Sequence, residues 1–257
     1  VPAIEPAVAP WIADDNPSGS PRQNSNATPN KSASSGLASQ ARSKGAASTR
    51  KTALEPKAEE LPALPETWQE HWFEHKDLVK LVASNGDVAI YFDDAMPRRG
   101  IAWMAPFVTR TWQYTKKTYG NFGADPRLFA IFHQGKYNGG HPSTYFDDSH
   151  DHRNVSDCGL SNWDHNSIDF VSHEIGHIVE GGNNSVEESP AFEIWKDSKW
   201  IEFYQYDLYV ALGLKSDARR IYEKWYNQTD DFPRPGTHWF RDFFYPLWRD
   251  NGHAQVM

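Results

Sequence analysis

Residues Val171–Glu180 read VSHEIGHIVE, two histidines four residues apart with a glutamate directly after the first. At about 100° per residue, Ile168, Val171, Ile175, Ile178 and Val179 fall on one side of a helical wheel. Asp169, His173, His177 and Glu180 gather nearly opposite. The spacing predicts a helix over 166–180 that sinks one stripe into a core and holds two imidazoles, one turn apart, on the other.

Two imidazole nitrogens so placed can reach a single ion at about 2 Å each. Glu174 lies beside the pair rather than on it, where it could take a proton from a metal-bound water. This is the H-E-x-x-H pattern, in which zinc activates water and the glutamate serves as general base. Composition alone would produce it in roughly 2–3% of shuffled chains, and the amphipathic phase argues further against chance. A polar helix face with two surface histidines is the bland alternative.

Zinc needs a third protein ligand and an open position for water. The layout H-E-x-x-H-x-x-G-x-x-H would want Gly at 180 and His at 183, where the chain has Glu180 and Asn183. A downstream Met turn is missing as well, since the one Met after His177 is Met257. A second layout places Glu on the next helix with Asp four residues later. Ser189-Pro-Ala-Phe-Glu-Ile-Trp-Lys-Asp197 supplies both, with Ser189 as N-cap and Pro190 in the first turn. Asp197 would then accept from the free ring nitrogen of a ligating histidine.

On His173, Glu174, His177, Glu193 and Asp197 the chain resembles the gluzincin group of zinc metallopeptidases, which includes thermolysin-like enzymes. The resemblance covers about 25 residues of motif. It departs from the group in one respect: the His177–Glu193 interval is shorter than in thermolysin-like members. Glu187 and Glu188 therefore stay open as third ligands beside Glu193. Glu180 sits too close along the same helix to complete a tetrahedral grip and reads as a supporting carboxylate. Gly181-Gly182 reads as the helix stop.

Weaker signals surround this stretch. Tyr145–Arg153 (YFDDSHDHR) is dense in Asp and His, and reads as a solvated or cleft-lining loop, with a calcium or second zinc site as the alternative. His238 and Tyr145 are candidate donors to an oxyanion. Trp195, Trp200, Phe203, Tyr204, Tyr206 and Tyr209 read as core rather than as a carbohydrate platform. Cys158, the one cysteine, rules out an intrachain disulfide and reads as a small buried apolar residue.

Composition divides the chain. Residues 1–62 are rich in Ser, Ala, Pro, Asn and Gln, and Trp11 is their one aromatic, whereas the other ten tryptophans fall between Trp68 and Trp248. So little apolar surface cannot offset ordering entropy, and 1–62 reads as a disordered tail or linker, 63–257 as the folded domain. Residues 1–60 hold seven basic and six acidic residues, and the chain's net −8 leaves −9 to the rest. Such an acidic domain has no electrostatic footprint for nucleic acid. No apolar run is long enough to span a membrane. A Ser/Ala/Pro tail ahead of a Trp/Tyr-rich domain suggests an extracellular or cell-surface location, and a monomer is the expected state.

Periodicity orders the domain as a first helix over Trp68–Val82, a strand over Asp87–Phe92, a helix over Pro106–Tyr119, and a strand over Arg127–His133. A GKYNGGHP loop and a short strand at Ser143–Phe146 follow. Helices come after at 166–180, about 190–212, 217–227 and 237–249. Strands mixed with helices first, then helices alone, make an α+β order.

The resemblance implies a zincin-like form of that order, with a mixed sheet and active-site helix over about 67–182 and a mostly helical half over about 183–257. It further implies zinc held by His173, His177 and Glu193, and a peptide or protein substrate cleaved at internal bonds with Glu174 as base. The competing expectation is a non-catalytic binding or adhesion domain with a structural or vestigial zinc. An aminopeptidase would need a carboxylate for a free N-terminus, and no short motif marks one.

Overall fold

A computed structural model describes residues 61–97, 102–120, 122–182, 192–195 and 199–256, with the side chains of 182, 192 and 193 outside the description. The expected disordered tail thus lies almost wholly outside the described residues.

The first half alternates short strands with helices. β1 (Thr67–Gln69), β2 (Leu78–Ser84) and β3 (Val88–Phe92) precede helix α1 (Met104–Tyr119), and β4 (Leu128–Gln134), β5 (Gly139–Ser143) and β6 (Asn154–Leu160) follow it. From there the described chain is helical: α2 (Ile168–Gly182), α3 (Phe192–Trp195), α4 (Lys199–Ala211) and α5 (Lys215–Tyr226). A π-type turn at Phe240–Phe244 then leads into α6 (Tyr245–Asp250). The α+β order expected from the sequence is the order found.

Six strands form one mixed sheet in the order β1-β2-β3-β4-β6-β5. Its centre, β3, β4 and β6, is parallel, and β5 runs antiparallel along β6 as the terminal strand. β3 and β4 are buried almost throughout, as parallel strands covered on both faces must be. One face is closed by Trp68, Trp72, Val79, Ala89, Tyr91, Phe129, Ile131 and Val155. Because side chains alternate along a strand, Cys158 belongs to the opposite face. There its cross-strand partner Gly140 meets helix α2.

Three elements differ from the sequence expectation. Trp68–Val82 is not a helix but β1, a turn and β2. Leu78, Val79, Leu81 and Val82 fit a helical stripe, yet pairing with β3 selects the two-residue period. Val79 is buried, while Leu78 and Val82 face outward. The segment GKYNGGHP is not all loop, since Gly139–Ser143 forms β5, and the short strand expected at Ser143–Phe146 lies earlier by several residues. Gly and Pro on a terminal strand are tolerated where ladder bonds run on one side only. β6 is hidden in the sequence by its polar content, as Asn154, Ser156 and Asp157 are all fully buried.

The aromatic stripe on α4 is core: Phe203, Tyr204, Tyr206 and Tyr209 are fully buried. Asp207, among them, accepts from Tyr114 Oη (2.5 Å) and Trp248 Nε1 (2.6 Å), tying α4 to α1 and α6. Cys158 is buried, and burial pushes its thiol well up, away from the reactive thiolate. No helix among the described residues is long and apolar enough to cross a membrane.

Candidate metal centre on helix α2

Helix α2 forms where its sequence pattern places it. Asp164 and Ser167 make a reciprocal capping box around a 3-10 turn that feeds directly into Ile168. Ile168, Val171, Ile175 and Ile178 are buried at 0–1% exposure, while His173 and His177 are partly open at 22% each. Their rings lie 4.9 Å apart, centroid to centroid. The wheel therefore separates the buried stripe from the partly open one.

Two carboxylates flank the imidazoles. Glu180 Oε2 lies 3.4 Å from His177 Nδ1, one turn along the same helix. Glu202 Oε1 lies 3.8 Å from His173 Nδ1 and comes from α4. Helix α4 is fixed against α2 by a buried polar seam. Gln205 Nε2 donates to Ser172 Oγ (2.8 Å) and to the Asp169 carbonyl, and Tyr209 Oη donates to Asp169 Oδ1 at 2.8 Å. Arg220 of α5 closes onto the same Asp169 carboxylate. Gly176 lets the helices approach, since a Cβ there would sit 2.7 Å from Ile201 Cγ2. Ile201 faces α2, and its neighbour Glu202 is carried to His173.

Glu174, next to His173 on α2, reaches the sheet. It is 5% exposed and lies against β5 at Gly140, where a Cβ would fall 2.0 Å from its carboxyl carbon. The general-base candidate is therefore wedged between the helix and the terminal strand.

Glu193 lies on the one-turn helix α3, its side chain outside the description. Asp197, Glu187 and Glu188 also fall outside the described residues. Glu202 is not among the sequence candidates. Its signal is present, an acidic residue in the first turn of the next long helix, but the match at Ser189–Asp197 is the more conspicuous one. Tyr145 packs over Gly123 and beside Phe146 and His152, and its main-chain N–H donates to Asn154. His238 Nδ1 sits 3.1 Å from the Gln228 carbonyl, just beyond α5. Both are placed by local packing, and neither has a described contact to α2.

Two imidazoles and a carboxylate from a second helix form the nitrogen-and-oxygen donor set that zinc takes at a three-ligand site. By residue type the set fits that ion, with Glu202 approaching His173 and Glu180 approaching His177.

A second polar cluster lies on the opposite face of the sheet, beneath the β1–β2 connection. Glu70, His75, His133 and Asp157 are 0–1% exposed. Burial alone would depress both histidines. The facing carboxylates of Asp157 and Glu70 outweigh it and raise His75 to about 9 and His133 to about 10. Burial would likewise raise Asp157, but the two imidazoles hold it down at about 2. Sequence reading misses this cluster because its members come from three separate segments, the β1–β2 connection, β4 and β6.

No protein-family model matches the chain, and no curated protein sequence matches it.

Proposed function

We propose that the chain is a zinc-dependent peptide hydrolase of zincin-like architecture, with His173, His177 and Glu202 holding the ion. The observation that carries this reading is the convergence on helix α2. Two imidazoles stand one turn apart, a carboxylate from α4 approaches His173 at 3.8 Å, and Glu174 beside them is held against the terminal strand. When bound, zinc supplies Lewis acidity, lowering the pKa of a coordinated water and polarising a carbonyl.

The chain's own residues do the rest. Glu174, confined by Gly140, accepts the proton of the attacking water and delivers it to the leaving amine nitrogen. β5, the terminal strand of the sheet, can take a peptide as an added strand, which would run its backbone past Glu174. Glu180 keeps the His177 ring in place. The polar seam of Ser172, Gln205 and Tyr209 keeps Glu202 at its distance.

The test is cleavage of a mixed quenched-peptide set by the full chain, beside Glu174→Gln loaded with equal zinc. Turnover in the first and none in the second supports a zinc peptidase. Equal silence from both, with zinc bound, favours a structural site in a binding domain and overturns the reading.

A further inference from the structure

We propose that Glu70, His75, His133 and Asp157 form a second, closed site for a divalent transition-metal ion, most suitably zinc, which pins the Glu70–Asp77 connection onto the sheet. One candidate ligand atom from each of the four residues lies within 4.8 Å of the others. Three separations describe the cage. His133 Nε2 is 2.8 Å from Glu70 Oε1 and 3.1 Å from Asp157 Oδ1, and His75 Nδ1 is 3.7 Å from Glu70 Oε1. Metal–ligand bonds of about 2.0 Å in a tetrahedron place neighbouring donors about 3.3 Å apart. The observed values bracket that figure.

Hydrogen bonds from outside the cage hold the outer atoms of Glu70, His133 and Asp157, while within it His133 Nε2 and Glu70 Oε1 bond each other at 2.8 Å, a contact that a bound ion would replace. Asp93 Oδ2 lies 3.2 Å from His133 Nδ1, and its other oxygen is anchored by the main-chain N–H groups of Ala95 and Met96, both at 2.9 Å. That arrangement holds Nδ1 on its outer carboxylate and turns Nε2 inward, as carboxylate–histidine–metal triads do. Trp72 Nε1 donates to Asp157 Oδ2 at 2.9 Å, which leaves Oδ1. The Asp77 main-chain N–H donates to Glu70 Oε2 at 3.1 Å, which leaves Oε1. Tyr137 stacks on His75 at 3.7 Å and fixes its ring plane.

The independent sign of a ligand is what these fully buried groups fail to bond. Both ring nitrogens of His75, and Asp157 Oδ1, have no hydrogen-bond partner among the described residues. His75 Nδ1 does lie 2.8 Å from Asp157 Oδ2, but off the direction a hydrogen bond requires. Buried polar atoms left in this way are costly unless something else meets them. Two imidazole nitrogens suit zinc and its transition-metal neighbours better than magnesium or calcium. Four protein ligands with no solvent access define a structural ion rather than a catalytic one.

This site is independent of the centre on α2, since it lies on the other face of the sheet. The experiment uses the full chain carrying His173→Gln and His177→Gln, dialysed against zinc and analysed for metal. We expect about one equivalent of zinc per chain, lost when Asp157→Asn is added. After exchange, Co2+ should give the intense visible bands of a tetrahedral site. A folded double variant, judged by circular dichroism, that retains no zinc overturns the proposal and leaves a cluster neutralised by protons alone. Should the double variant not fold, zinc titration of the unmodified chain decides. Run beside Asp157→Asn, a loss of one equivalent in the variant supports the site, and equal saturation of the two chains overturns it.

Discussion

The Glu174 carboxyl and Gly140 of β5 are in contact closer than any side chain at 140 would allow, since a Cβ placed there would fall 2.0 Å from the Glu174 carboxyl carbon. The contact couples the helix that bears the imidazoles to the strand that borders them. Gly140→Ala must push Glu174 aside while leaving His173 and His177 untouched. Under the proposed reaction a displacement near 1 Å costs about 100-fold in turnover. Metal content should be unchanged. Steady-state kinetics with parallel zinc analysis checks this, and an alanine variant of full activity would remove Glu174 from the role of base.

Glu202 and Glu180 are distinguished by what their loss does to zinc. A supporting carboxylate is worth about 10–100-fold in metal affinity, and a direct ligand should exceed that. We therefore expect Glu202→Gln to weaken zinc binding beyond about 100-fold, and Glu180→Gln to stay within that range. Competition against a chelating dye measures both. Glu193→Gln belongs in the same series, because a larger loss there would restore the ligand the sequence spacing favours.

How far the sequence reaches is plain from these residues. His173, Glu174 and His177 are legible because one helix carries them at fixed spacing, and the period that buries Ile175 also exposes the histidines. Glu202 is not, because its position depends on how α4 docks through Gln205 and Tyr209 onto Ser172 and Asp169, which no short motif encodes. The Trp68–Val82 segment misleads because Leu78 and Val82 complete an apparent helical stripe. Strand pairing and the buried bonds of Glu70 and Trp72 override that stripe. β5 and β6 are obscured by glycines and buried polar residues, of which Gly140, Gly159, Asn154 and Asp157 serve contacts across the fold.

Gly176 tests the docking itself. A Cβ there meets Ile201 Cγ2 at 2.7 Å and Tyr204 Cδ1 at 3.2 Å, both on α4. Overpacking of this kind costs about 1–3 kcal/mol, against a helix-propensity gain of about 1 kcal/mol for replacing glycine. We expect Gly176→Ala to lose about 1 kcal/mol net, a Tm decrease of about 2–4 °C for a domain of this size. Zinc affinity should fall with it, since Glu202 moves with Ile201. A thermal melt that rises instead would show that the helices are not in close contact at this point.

His150 should govern part of the acid limb of stability. Its ring is buried, packs 4.2 Å from Trp72 and bonds Ser149 Oγ through Nδ1 at 2.7 Å, while Nε2 meets no acceptor among the described residues. Burial pushes it down from 6.5 to about 4. A histidine whose folded value is depressed contributes stability that is fully present above its unfolded value. That contribution is lost as pH falls from about 6.5 toward about 4, because the unfolded chain takes up the proton first. At about 1.4 kcal/mol per pH unit, the shift corresponds to roughly 3 kcal/mol across that window. His150→Phe keeps a ring against Trp72 but cannot titrate. Urea unfolding at a series of pH values should then show a shallower fall for the variant between pH 6.5 and 4. Parallel curves for both chains over that interval would mean that His150 accepts its proton without leaving the fold.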